Sequence, residues 1–116
     1  MSEEKPIRYA FLQLPNYSMV TFSSAVASLR GANYISKKGL YQWQVVSMDG
    51  APVTASVGFE VTPVISINEL NLNNLEALII CGGTHIDHAY DKSTLAFLRK
   101  AANAKVRLGS TCTGSY

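Results

Sequence analysis

The segment Gly109-Ser110-Thr111-Cys112-Thr113-Gly114 sets a thiol inside a run of small residues, behind the β-prone stretch Lys105 to Ser110. Small residues let a chain turn sharply from a strand into a helix, and such a turn displays the side chain at its apex beside backbone N–H groups. A cysteine held there has the makings of a nucleophile: the N–H groups can hold an oxyanion, and a helix N-terminus favours the thiolate. The G-x-x-C-x-G spacing alone does not separate a nucleophile from a packed, inert thiol. Its place behind a strand in a chain that alternates strands and helices favours the elbow. A second loop, Gly82-Gly83 behind the apolar run Ala77 to Cys81, lets backbone N–H groups come close to a bound atom. His85 and His88 share that loop with Asp87 between them. A zinc site needs at least three protein ligands, and no further ligand stands at a suitable spacing, so these histidines read as residues of a pocket mouth. No metal and no cofactor are expected.

The elements that would position these loops are legible. Arg8 to Leu14 (RYAFLQL) is an apolar, β-prone run ended by the turn signal Pro15-Asn16. Ser18 is placed as an N-cap, and Met19, Phe22, Val26 and Leu29 recur at helical spacing behind it, predicting an amphipathic helix to about Tyr34. Tyr41 to Met48 reads as a second strand closed by Asp49-Gly50. The stretch PVTASVGFEV then has two short β-prone pieces around Val57-Gly58, a small hairpin or excursion, and INELNL has room for one helical turn. Ala77 to Gly83 is continuously apolar, as a strand covered on both faces of a parallel sheet must be. Asp91 is placed to cap a helix over 92–103, with Leu95, Leu98 and Ala102 on one face, and a last strand over 106–110 leads into Cys112. This order predicts a doubly wound α/β sheet. Ligands of such sheets bind outside the carboxyl ends of the strands, where the loops at Pro15-Tyr17, Asp49-Gly50, Cys81-His88 and Ser110-Ser115 would meet.

Bulk properties narrow the field. With 116 residues the chain forms one domain at most, and 47% hydrophobic against 16% charged residues describes a globular protein. Lys37-Lys38 and Arg99-Lys100 are the only adjacent basic pairs in a chain of net charge +2, too little for a nucleic-acid surface. No apolar run approaches a membrane span and the first residues are acidic and polar, so a cytoplasmic protein is the expectation. Cys81 and Cys112, the two cysteines, do not form a disulfide framework. Trp43 and the six tyrosines read as core and rim.

Four stretches carry a resemblance: RYAFLQLPNYSMVTFSSAVASLRGAN, LYQWQVVSMDGAPVTASVGFEV, ALIICGG and LGSTCTGSY. Together they resemble the amino-terminal PfpI/ThiJ-like domain, within the class I glutamine amidotransferase-like superfamily, of GlxA-type transcription regulators of the AraC family. The likeness runs from Arg8 to Tyr116. It implies a flavodoxin-like three-layer sandwich with a mostly parallel sheet, a small-molecule pocket beside the elbow cysteine, and homo-oligomers. It also implies DNA binding only through a carboxy-terminal domain that this chain lacks. On that footing residues 1–7 are a polar tail and 8–116 an incomplete PfpI/ThiJ-like domain, expected to be less stable than a complete one and to self-associate.

Catalytic relatives of this group place a glutamate at the start of the first helix, beside the elbow cysteine. That position falls at about Thr21, and no carboxylate lies between Glu4 and Asp49. The resemblance therefore implies a sensor that binds a small metabolite without turning it over, with no catalytic residue. Its ligand-binding residues would be Gly82, Gly83, His85, Cys112, Thr113 and Gly114. The alternative is a cysteine-dependent hydrolase, hydratase or amidase with Cys112 as nucleophile.

Overall fold

The structure is a computed structural model and describes residues 6–83 and 91–111. Its elements run β1 (Ile7–Gln13), α1 (Met19–Ser36), β2 (Tyr41–Ser47), β3 (Ile65–Ser66), β4 (Leu75–Cys81), α2 (Lys92–Asn103) and β5 (Arg107–Thr111). The strands form one sheet in the order β3-β2-β1-β4-β5, and each neighbouring pair is parallel. The predicted strands, helices and parallel pairing are all present. Only the two-residue β3 was not anticipated.

The period-two alternation of the strands sorts the core into two clusters. Ala10 and Leu12 of β1, Val46 of β2, and Leu78 and Ile80 of β4 pack with Phe97 and Ala101 of α2. Phe11 of β1 and Cys81 of β4 pack with Phe22 of α1, flanked by Met19, Ala25, Val26 and Leu29. The two helices thus cover opposite faces, giving the three layers. β1 carries no charge beyond Arg8 because both its faces are covered.

Local chemistry fixes the helix ends. Ser18 Oγ accepts from the Thr21 N–H, and α1 closes on Lys37 in the left-handed region, whose N–H donates to the Tyr34 carbonyl. The Asn33 amide clasps Tyr41, donating to its carbonyl and accepting from its N–H, both at 2.9 Å, so the end of α1 is tied to the start of β2. Asp91 caps α2 as the sequence predicts, its carboxylate accepting from the Thr94 N–H at 3.0 Å and the Thr94 hydroxyl at 3.1 Å.

The buried face of α2 differs from the predicted one. Thr94, Phe97 and Ala101 are buried, whereas Leu95 is 41% exposed and Ala102 lies outside. The helix turns its one aromatic ring inward, and Thr94 can follow because its hydroxyl is already bonded to the cap. The excursion around Val57-Gly58 is a tight turn, not a strand pair. Ala55 N–H donates to the Phe59 carbonyl and Gly58 N–H to the Ala55 carbonyl, with Gly58 at φ 88°. The single turn expected in INELNL is present, with Glu69 N–H on the Ser66 carbonyl.

Candidate functional site

β1 and β4 are neighbours at the centre of the sheet, and the segments leaving their carboxyl ends are knitted together. Leu14 N–H donates to the Cys81 carbonyl at 3.2 Å, and Ser18 N–H to the Gly82 carbonyl at 2.8 Å. Tyr17 and Gly83 form an antiparallel bridge. A Cβ on Gly83 would run into the Asn16 carbonyl oxygen and lie 2.9 Å from the Ser18 nitrogen. The glycine at position 83 is therefore required by the β1–α1 turn. The excursion closes the knot: Asn16 N–H donates to the Thr54 carbonyl at 3.0 Å, and Ser56 N–H to the Tyr17 carbonyl at 2.9 Å. Tyr17 is fully buried under it, its ring edge-on to Phe22.

Beside this knot lies a cavity of about 510 Å³. Gln13, Pro15 and Asn16 line it from the end of β1. Ser47, Met48, Asp49 and 51–54 line it from beyond β2, and Asp91 and Thr94 from the start of α2. It occupies the carboxyl ends of the strands, where the topology of an open parallel sheet puts a ligand. Two of the predicted loops, Pro15-Tyr17 and Asp49-Gly50, contribute to it. Hydrogen bonds fix the β2 end: Ser47 Oγ accepts from Gly50 N–H and donates to the Ala51 carbonyl, and Asp49 accepts from Ala51 N–H. Among the described residues the lining has two carboxylates and no basic side chain. The Asp91 carboxyl is held below the usual carboxylate range, chiefly by the Thr94 N–H and then by the Thr94 hydroxyl.

Two buried polar groups stand at the same end of β1. Both amide atoms of Gln13, a residue 1% exposed, and the Tyr17 hydroxyl have no hydrogen-bond partner among the described residues. Burial pushes the Tyr17 hydroxyl above its ordinary pKa, with Cys81 and Glu60 adding to the rise. The Gln13 amide lies close enough to pull the other way, but the two do not reach hydrogen-bond geometry.

Of the predicted ligand-binding residues, Gly82 and Gly83 fall in this knot, and His85, Cys112, Thr113 and Gly114 lie outside the described residues. Cys81 and Thr111 are in register at the ends of the adjacent strands β4 and β5. The sequence reading passed over Gln13, Ser47, Asp91 as a cavity residue, and Thr94. Gln13 had a signal: it is a polar residue inside the apolar run FLQL, and a buried amide is costly unless something meets it. Thr21 sits in the first turn of α1, its hydroxyl donating to the Ser18 carbonyl at 3.2 Å. No group of metal-ligating side chains occurs among the described residues, and none of their helices is long and apolar enough to cross a membrane.

Comparison with known proteins agrees with this architecture. The chain is 37% identical over 111 residues to the HTH-type transcriptional regulator GbdR of Pseudomonas aeruginosa, covering 96% of this chain and 30% of that protein. It is 26% identical over 110 residues to the HTH-type transcriptional regulator GlxA of Rhizobium meliloti, covering 94% of this chain and 33% of that protein. The chain thus spans about a third of the length of these relatives. Among solved structures, an AraC family transcriptional regulator from Pseudomonas putida superposes with a TM-score of 0.82 at 27% identity, over 95% of this chain and 67% of that one. Residues 10–116 match the DJ-1/PfpI family, and with the parallel sheet, the two covering helices and the glycine loop in place, the chain belongs to that family.

Proposed function

We propose that this chain is the small-metabolite-sensing part of a helix-turn-helix regulator of the AraC type, and that it binds its ligand without turning it over. The observation that carries the reading is the match of nearly the whole chain to about a third of regulators such as GbdR. DNA contact then belongs to a region outside these 116 residues, in keeping with a net charge of +2 and no basic stripe. The ligand would occupy the cavity at the carboxyl ends of β1 and β2. Gln13, Asp49, Asp91 and Thr94 would form its walls, and Gly82, Gly83, His85, Cys112, Thr113 and Gly114 its rim on the β4–β5 side. Non-catalytic binding is supported by the start of α1, whose first turn holds no acidic residue, so no carboxylate there is offered to a neighbouring thiol. Action in the cytoplasm and as a homo-oligomer belongs to the same reading.

Thermal denaturation against a panel of small metabolites tests it. A compound that raises the melting temperature should be recovered unchanged after prolonged incubation. At about 100 times its dissociation constant it would add about 2.7 kcal/mol. Conversion of the compound, lost in Cys112→Ala, would make the chain an enzyme instead. Sequence-specific retention of a promoter fragment by the 116-residue chain alone would overturn the division of labour.

A further inference from the structure

β3 pairs with Val46 and Ser47 only, so the edge of β2 from Trp43 to Val45 has no strand beside it among the described residues. The incoming segment Val61-Thr62-Pro63 is set off from that edge, and a proline there has no N–H to offer a ladder. The gap between this segment, the edge of β2 and α1 is a cavity of about 390 Å³. Phe22 and Val26 wall it from α1, Trp43 and Val45 from β2, and Val61 and Ile65 from the far side. Its polar residues are Gln44 and Thr62, and no charged residue lines it among the described residues. The Gln44 side chain leaves β2 on the opposite face, where its amide oxygen accepts from Arg8 at 3.4 Å. It lies on the α1 face of the sheet and shares no lining residue with the cavity at the carboxyl ends.

We infer that this cavity is a second binding site, for an uncharged, mainly apolar small molecule of about one or two rings with a single polar group. The commitment to a small molecule follows from size. Nine residues line the cavity, whereas a protein interface takes about 20–30 residues a side, and cavities of about 300–1,000 Å³ suit small ligands. The commitment to a neutral one follows from charge: an ion here would leave water for walls that offer no counter-charge. The Thr62 hydroxyl and the backbone groups of the β2 edge from Trp43 to Val45 supply the hydrogen bonds that would orient its polar group. Half-buried Trp43 and Val45 and the buried Phe22 supply the apolar contact. The inference is independent of the sensing role proposed for the other cavity.

Trp43 is the single tryptophan, so its indole N–H gives one resolved signal in a ¹H–¹⁵N spectrum of the full chain. With p-cresol as probe, that signal should shift and saturate at millimolar concentration. The charged comparator 4-methylbenzoate should need at least about tenfold more, the ratio worth about 1.4 kcal/mol. Val26→Phe and Val61→Phe fill the cavity from two separate elements, and each should weaken the response to p-cresol at least tenfold. The wild-type arm decides even where a filled variant does not fold. A shift that never saturates, or equal responses to p-cresol and 4-methylbenzoate, overturns the site, as does full binding in a folded variant of either kind.

Discussion

Individual residues at the end of β1 carry much of what is distinctive here. Gly83 is pressed onto Asn16 and Ser18 so closely that a methyl group has nowhere to go, because the obstructing atoms are backbone. Gly83→Ala should cost about 1–3 kcal/mol, the range for overpacking, as read by chemical denaturation. Gly109→Ala should be near neutral, since among the described residues its Cβ would meet Ile79 Cγ1 alone, at an ordinary contact distance of 3.7 Å. Gln13 and Tyr17 go the other way. A buried polar group with no partner costs about 1–3 kcal/mol, so Gln13→Leu and Tyr17→Phe should each raise the melting temperature, by on the order of 4 °C. A fall in both would mean that the groups are bonded in the folded chain. The raised Tyr17 pKa also sets a pH dependence. A folded value above the unfolded one of about 10 gives stability that is whole below pH 10 and lost as pH rises through the folded value. Tyr17→Phe should therefore flatten the alkaline limb of a stability profile, leaving the part due to Tyr9, which is likewise raised, first by burial and then by Glu76.

At the scale of elements, α2 shows how a helix chooses its face. Two stripes run along it at helical spacing, Leu95-Leu98-Ala102 and Thr94-Phe97-Ala101. The first has more aliphatic residues, but the second holds the only aromatic ring and a threonine already bonded to Asp91. Phe97→Ala should cost about 3–5 kcal/mol in denaturation, a large share of the stability of a domain this small, and Leu95→Ala within about 0.5 kcal/mol. Equal costs would put the helix in the other orientation. Helix α1 is less polarised. Phe22 is its one buried residue, and Val20, Tyr34 and Ile35 are 73%, 78% and 81% exposed. Its hold on the sheet relies on the Ser18 cap and the Asn33–Tyr41 clasp as much as on burial.

For the whole molecule, the β5 edge matters most. β5 ends the described sheet with Leu108 44% exposed beside Leu78, and an open parallel edge with an apolar residue is a template for another chain. The chain should therefore self-associate through this edge, with an apparent mass in sedimentation that grows with concentration. Leu108→Lys should shift the distribution toward monomer. A wild-type chain that stays monomeric at high concentration would show the edge to be protected. The family resemblance covered nearly the full chain and holds, because its motifs lie in contiguous stretches such as LYQWQVVSMDG. The candidate cavity was legible only in part: the loops at Pro15 and Asp49 that line it stand out in the sequence, while Gln13, Ser47 and Thr94 do not, as polar residues scattered along strands and a helix.

By itself the sequence determined every strand but β3, the two long helices, their caps at Ser18 and Asp91, and the parallel doubly wound class. Each of these is written within one or two turns of chain, in apolar periodicity, a capping side chain or a breaker such as Pro15-Asn16. The tertiary structure alone decided what meets what. Register between β1 and β4 brings the Asn16 carbonyl against Gly83, so that the backbone itself demands a glycine there. Long-range pairing carries 53–56 over Tyr17 and gathers Gln13, Ser47 and Asp91 around one cavity. Such contacts depend on how whole elements align across the sheet, and no local window of sequence encodes that alignment.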